Sequence, residues 1–134
     1  MTKLIEIEGI GESYAAKLQS AGVASLEKLL ELGNTKQGRK SLVDATGISD
    51  KLILRWVNMA DLFRVKGIGE QYSDLLEAAG VDTVPELAQR KPENLHAKMA
   101  EVNEQKHLVR ALPPLPTVEK WVEAAKELPR IVSY

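Results

Sequence analysis

Two glycine–isoleucine–glycine triplets, Gly9-Ile10-Gly11 and Gly67-Ile68-Gly69, are the residues of this chain whose types and spacing best suit chemistry. That chemistry is anion binding. Two glycines one apart make a tight reversal, because glycine reaches left-handed backbone angles without steric cost. A helix opening straight after the reversal points backbone N–H groups outward beside the positive end of its dipole, a ready cradle for a phosphate oxygen. An acidic residue follows each triplet, Glu12 or Glu70, and a carboxylate suits the first turn of a helix. The isoleucine is expected to point back into the angle between two helices. Lys66 stands beside the second triplet, and Lys36, Arg39 and Lys40 are further candidate phosphate contacts.

Other chemistry has weaker support. His96 and His107 are the only histidines, eleven residues apart, with no second ligand at the three- or four-residue spacing of a metal site. There is no cysteine, so no thiolate, disulfide or cysteine nucleophile is available. Nucleophile-elbow, phosphate-loop and zinc-protease patterns do not occur. The expectation is a non-enzyme with no metal, no cofactor and no catalytic residue. Trp56 and Trp121 could stack a nucleic-acid base, but their spacing from valine and alanine places them in a helical core. Tyr14 and Tyr72 read the same way.

The elements that must position the triplets are repeated. Glu12-Ser13-Tyr14-Ala15-Ala16-Lys17-Leu18 returns as Glu70-Gln71-Tyr72-Ser73-Asp74-Leu75-Leu76, at an offset of 58 residues. Ala21-Gly22-Val23 and Ala79-Gly80-Val81 keep that register. Tyr14, Leu18 and Ala21 recur at helical spacing. Gly22 and Gly80 stand where a helix stops. Ser25 and Thr83 are N-caps for a following helix, and Thr83-Val84-Pro85-Glu86 is a capping box. Thr2 can cap a first short helix through about Ile7, and Glu8 to Gly11 is the first hairpin. The first unit continues with helices over 12–21, 26–32 and 36–45, the last weakened by about 1 kcal/mol at Gly38. Ser49 then caps a longer helix, 50–63, whose apolar stripe runs Leu52, Ile53, Trp56, Val57, Ala60 and Phe63. The second unit reads 70–79, 84–89, a helix from Pro92 that Asn103 can extend to Arg110, and a last helix capped by Thr117 over 118–128.

A deeper match, Arg55-Trp56-Val57-Asn58-Met59-Ala60 with Lys120-Trp121-Val122-Glu123-Ala124-Ala125, needs an offset of 65. The second unit therefore carries seven extra residues, and the proline-rich break 112–116 is the natural place for them. The expected fold is all-α: two tandem units of about four or five short helices, 1–57 and 58–134, packed as one compact helical domain. A tail, 129–134, has apolar and aromatic residues and is expected to cover the core, the alternative being that it adds to a partner. Each half is marginal in size for a fold of its own.

Alanine, leucine, lysine and glutamate dominate and β-branched runs are rare, which favours helix. Hydrophobic residues make up 44% of the chain, a globular level. The formal net charge of −1 is unlike that of a dedicated nucleic-acid coat protein. No apolar run approaches the length of a membrane span and the first residues do not read as a signal peptide. A cytoplasmic protein with no membrane partner is the expectation.

Gly-Ile-Gly followed by Ala15 and Leu18 resembles the helix–hairpin–helix motif of DNA repair and recombination proteins. The resemblance implies that hairpin amides grip a DNA phosphate without reading bases, and that a pair of motifs grips both strands. More narrowly, Thr46-Gly47-Ile48-Ser49, Trp56-Val57-Asn58, Leu75-Leu76-Glu77-Ala78-Ala79-Gly80-Val81, Glu86-Leu87-Ala88-Gln89-Arg90 and Leu128-Pro129-Arg130 look like a family of small bacterial proteins. These are catalogued as helix–hairpin–helix proteins with a domain of unknown function, so that resemblance implies a fold and no activity. The chain departs from the DNA-gripping pattern at Ser13 and Gln71, where a lysine or arginine is usual, and at Glu12 and Glu70. Glu6 and Glu8 make the first hairpin more acidic, whereas Arg64 and Lys66 make the second more basic.

Charge is unevenly spread. Residues 36–55 carry net +3, residues 67–89 carry −5 with no base, and residues 90–110 carry +2. A basic face could track phosphates, and an acidic face could dock a basic one on another copy. Two functions follow as expectations: weak, sequence-independent DNA-backbone binding by the hairpins, or a protein-interaction or self-associating scaffold in which the hairpins are only corners.

Overall fold

The structure is a computed structural model that describes residues 2–7 and 9–134. Glu8, part of the expected acidic hairpin, lies outside the described residues. Among the described residues the protein is all-α. A 3-10 turn, Leu4–Glu6, precedes α1 (Glu12–Ser20), α2 (Leu26–Gly33), α3 (Lys36–Thr46), α4 (Asp50–Leu62), α5 (Glu70–Ala78), α6 (Val84–Gln89), α7 (Pro92–Lys106) and α8 (Leu115–Glu127). Contacts divide the chain into two compact units, residues 1–61 with 131–134, and residues 62–130.

The repeat recurs in the backbone. Helices α1 and α5 begin and end 58 residues apart. Both are closed by the same bond, Val23 N–H to Leu18 O and Val81 N–H to Leu76 O, each 2.8 Å. The caps correspond as well: Ser25 Oγ accepts from Lys28 N and Thr83 Oγ1 from Glu86 N. Helices α4 and α8 match residue for residue at the second offset of 65. The seven additional residues are not confined to the proline break. Helix α7 is four longer than α3, the link before α8 is five longer than the link before α4, and α6 is two shorter than α2.

Three expected elements differ. The chain before the first turn is 3-10 rather than α. Thr2 does not cap it; its N–H donates to Glu27 Oε1 at 2.8 Å and its carbonyl accepts from Leu26 N, so this segment is tied to α2. Helix α7 stops at Lys106, because His107 takes a left-handed conformation (φ 50°) and Asn103 bonds both N–H and carbonyl of Val109. Asn103 therefore closes a turn instead of extending a helix. Helix α8 starts at Leu115 with Pro116 in its first turn, a position where the missing proline N–H has no cost. Thr117 lies inside that turn.

In the first unit Ile7, Leu18, Val23, Leu29, Ile53, Trp56 and Val57 are fully buried; in the second Leu75, Leu76, Val81, Leu87, Leu95, Met99 and Val118 are. The tail is tied to the first unit, not to the second where the repeat places it. Val132 is buried, Ser133 N–H donates to Asn34 O at 2.8 Å, and Tyr134 OH donates to Asn58 Oδ1 at 2.7 Å.

Two carboxylates link stability to pH in opposite senses. The Thr2 backbone N–H holds the Glu27 pKa below its usual value. Its contribution is present above the unfolded-state pKa and is lost as pH falls through the lower folded one. Asp82 is pushed up, first by desolvation and then by the neighbouring Glu86 and Glu77. It opposes folding at neutral pH, and the penalty disappears as pH falls through its raised folded pKa. Asp82→Asn should therefore melt higher than the parent at about pH 7, Glu27→Gln should melt lower, and both differences should shrink toward zero as pH falls through the carboxylate range. Thermal melts across that range check both signs. A Glu27→Gln protein that melts with the parent at neutral pH would remove the Thr2 bond from the account.

Candidate nucleic-acid interface

Both triplets form the turns their spacing predicts. Gly9 and Gly67 have φ of 98° and 95°, the left-handed region in which a side chain is strained. The turn bonds repeat: Ile10 N–H to Ile7 O and Ile68 N–H to Val65 O, both 3.1 Å. Ile10 and Ile68 are buried at 3% and 4% exposure, so the central isoleucine anchors each turn in its core. A tryptophan lies under each first glycine. A Cβ on Gly67 would stand 3.1 Å from Trp121 Nε1, and one on Gly9 would stand 3.8 Å from Trp56 Nε1 and 3.0 Å from Arg55 Nη1. Tyr14 packs on Trp56 (centroids 5.1 Å apart) and Tyr72 on Trp121 (5.2 Å). The paired aromatics are thus the floor of the turns.

The second glycine of each triplet does a different job. Gly11 and Gly69 are the N-caps of α1 and α5, with extended backbone and no side chain to accept from the first-turn amides. Nothing lies within 4 Å of a Cβ built on either. Each helix mouth is therefore uncovered on that side, with room for an anionic oxygen beside the amides. Glu12, Ser13, Glu70 and Gln71 around the mouths are exposed. At the second mouth Lys66 is exposed, while Arg64 donates to Pro129 O at 3.0 Å.

The other candidate contacts are gathered elsewhere in the first unit. Lys36, Arg39 and Lys40 line one cleft of about 1210 Å3 with Lys51, Val43, Leu54 and Tyr134. Residues 9–11 are not part of its lining. Arg39 is not the surface cation its type suggests. It is 7% exposed, donates to Gly33 O at 2.9 Å and Ser133 O at 2.7 Å, and lies 5.8 Å from the Tyr134 ring centroid. Its guanidinium holds the tail against the end of α2. Lys51 and Tyr134 are cleft residues that the sequence marks only as part of a basic stretch and of an apolar, aromatic tail. The +3 balance of 36–55 is the available signal for Lys51, and the apolar, aromatic character of the tail is the one for Tyr134.

The histidines are structural in setting. His96 Nε2 is 3.0 Å from Pro113 O, a hydrogen bond that fixes the start of the proline segment, and His107 ends α7. Among the described residues no group of three or more histidine, cysteine or acidic side chains could hold a metal ion, and no helix is long and apolar enough to cross a membrane.

The fold and site thus define an all-α protein built from a duplicated glycine turn, helix and tryptophan floor. The chain belongs to the family described as Domain of unknown function (DUF4332), which it matches over residues 8–128. No curated protein and no solved structure gives a match.

Proposed function

We propose that this protein is a non-catalytic tandem helix–hairpin–helix module that binds DNA backbone without sequence choice. The observation that carries the reading is the pair of open helix mouths at Gly11 and Gly69, each set behind a left-handed glycine. In this reading the first-turn amides of α1 and α5 each take one phosphate, Ile10 and Ile68 hold the turns rigid, and Lys66 adds charge at the second. A second reading, a protein-interaction module, draws on Glu12 and Glu70: both are exposed beside the mouths, where a carboxylate competes with a phosphate for the dipole.

Anisotropy of a labelled duplex separates the two. Backbone gripping predicts a dissociation constant of roughly 1 μM to 0.1 mM that weakens steeply with salt. Gly69→Asp is the telling variant, because its Cβ meets nothing and its φ of −118° suits any residue. It should keep the fold and weaken binding at least about fivefold, while Glu70→Lys should tighten it. No binding at low salt up to about 100 μM protein would overturn the DNA reading and direct attention to a protein partner.

A further inference from the structure

We infer that the cleft of the first unit takes an unpaired stretch of nucleic-acid strand, with bases on the Tyr134 ring and apolar floor and phosphates on Lys36, Lys40 and Lys51. The ligand class rests on the reading above; the site does not, since the glycine turns are not in its lining.

Charge is the first ground. Lys36 and Lys40 lie one helical turn apart on α3, hence on one face, and Lys51 comes from the first turn of α4. All three are exposed, and none is in an ion pair among the described residues. Asp44 and Asp50 share the rim, so with Arg39 the lining keeps a net charge of +2. Arg39 strengthens the bias. It is nearly buried, and among the described residues no aspartate or glutamate side chain pairs with it. A desolvated cation held by two carbonyl dipoles and a ring face, with no carboxylate beside it, favours an anion nearby.

The floor is the second ground. Val43 and Leu54 line the cleft, and Tyr134, 51% exposed, is held by its bond to Asn58 and by Arg39. Lysines around a fixed aromatic ring are the elements of sequence-tolerant single-strand binding, in which phosphates meet charge and bases stack. The cleft is open rather than enclosing, which suits a strand that enters and leaves it better than a small ligand, whose pocket buries most of its surface.

The test is anisotropy of fluorescein-labelled oligo-dT of about twelve nucleotides with the full chain, beside the same titration of a duplex. Lys40→Gln/Lys51→Gln should weaken oligo-dT binding about tenfold or more and reduce the slope of log K against log salt by about 1.4. The duplex affinity should stay within about threefold, as should oligo-dT binding by the control Lys98→Gln/Lys106→Gln on α7. Tyr134→Ala should cost about tenfold on oligo-dT, whereas Tyr134→Phe, which keeps the ring but loses the Asn58 bond, should cost less than about threefold. Circular dichroism melts confirm that each variant is folded.

Absence of oligo-dT binding at low salt up to about 100 μM protein would overturn the inference. Equal losses in the cleft and control variants would also overturn it, as non-specific charge. Displacement of oligo-dT by polyglutamate at equal charge would reassign the cleft to an acidic polypeptide, and displacement by micromolar ATP to a free nucleotide. Duplex binding lost in Gly69→Asp with oligo-dT binding intact would support both sites. Oligo-dT binding without any duplex binding would sink the hairpin reading and leave this one standing.

Discussion

Trp121→Ala should cost about 3–5 kcal/mol of stability, the usual range for deleting a buried aromatic. The indole is 2% exposed. It fills the space beneath Gly67 and meets Tyr72 at a tilted 54°, a geometry that adds about 0.5–1.5 kcal/mol beyond area burial. Removing it leaves a void under a turn that has no side chain to fill it. Denaturant unfolding followed by circular dichroism would measure the loss. Trp121→Phe, which keeps a ring against Tyr72, should lose markedly less. A loss below about 1 kcal/mol for the alanine variant would show that the second turn stands without its aromatic floor, against the packing described.

Gly38→Ala should also destabilise the protein, by roughly 2 kcal/mol, although alanine is the better helix former. A Cβ at this position would collide with the Leu32 carbonyl oxygen and stand 3.0 Å from Thr35 Oγ1. The first is a backbone atom at the end of α2, so a small rotamer change cannot relieve it. Thr35 is the N-cap of α3 and its hydroxyl oxygen accepts from Gly38 N at 2.9 Å. The methyl group therefore pushes α3 away from α2 and loosens the cap, itself worth about 1 kcal/mol. Overpacking of this kind typically costs 1–3 kcal/mol, against about 1 kcal/mol gained in propensity. A melting temperature equal to or above that of the parent would mean that the α2–α3 junction has slack.

Gly38 also marks where sequence reasoning stops. From residue types alone it is a weakness inside a helix; only the position of another helix's carbonyl makes it a requirement. The ends of α1 and α5, by contrast, are legible because local signals agree twice: glycine turn, acidic first turn, helical periodicity and terminal glycine, all repeated 58 residues on. The Thr83 cap and the tryptophan pairing of α4 with α8 are legible for the same reason. The start of α8 was less so, because Thr117 is a good cap by type, yet two prolines in sequence fit the residues at and just inside an earlier start. By type Arg39 reads as a surface cation, because one of the two carbonyls that hold it belongs to Ser133, 94 residues away. No periodicity reports a contact at that separation. The glycine turns were legible as candidate sites, and the cleft was legible only as a charge imbalance.

The return of residues 131–134 to the first unit has a consequence for the order in which the protein is made. Translation delivers the first unit's helices early, but the strap that ties Asn34, Arg39 and Asn58 arrives roughly seventy residues later, after the whole second unit. At about 5–20 residues per second that is a delay of roughly 4–14 s, far longer than helices take to form. During that interval Arg39 has no Ser133 carbonyl to hold, and the cleft has no tyrosine wall. The first unit to be synthesised is thus the last to be finished.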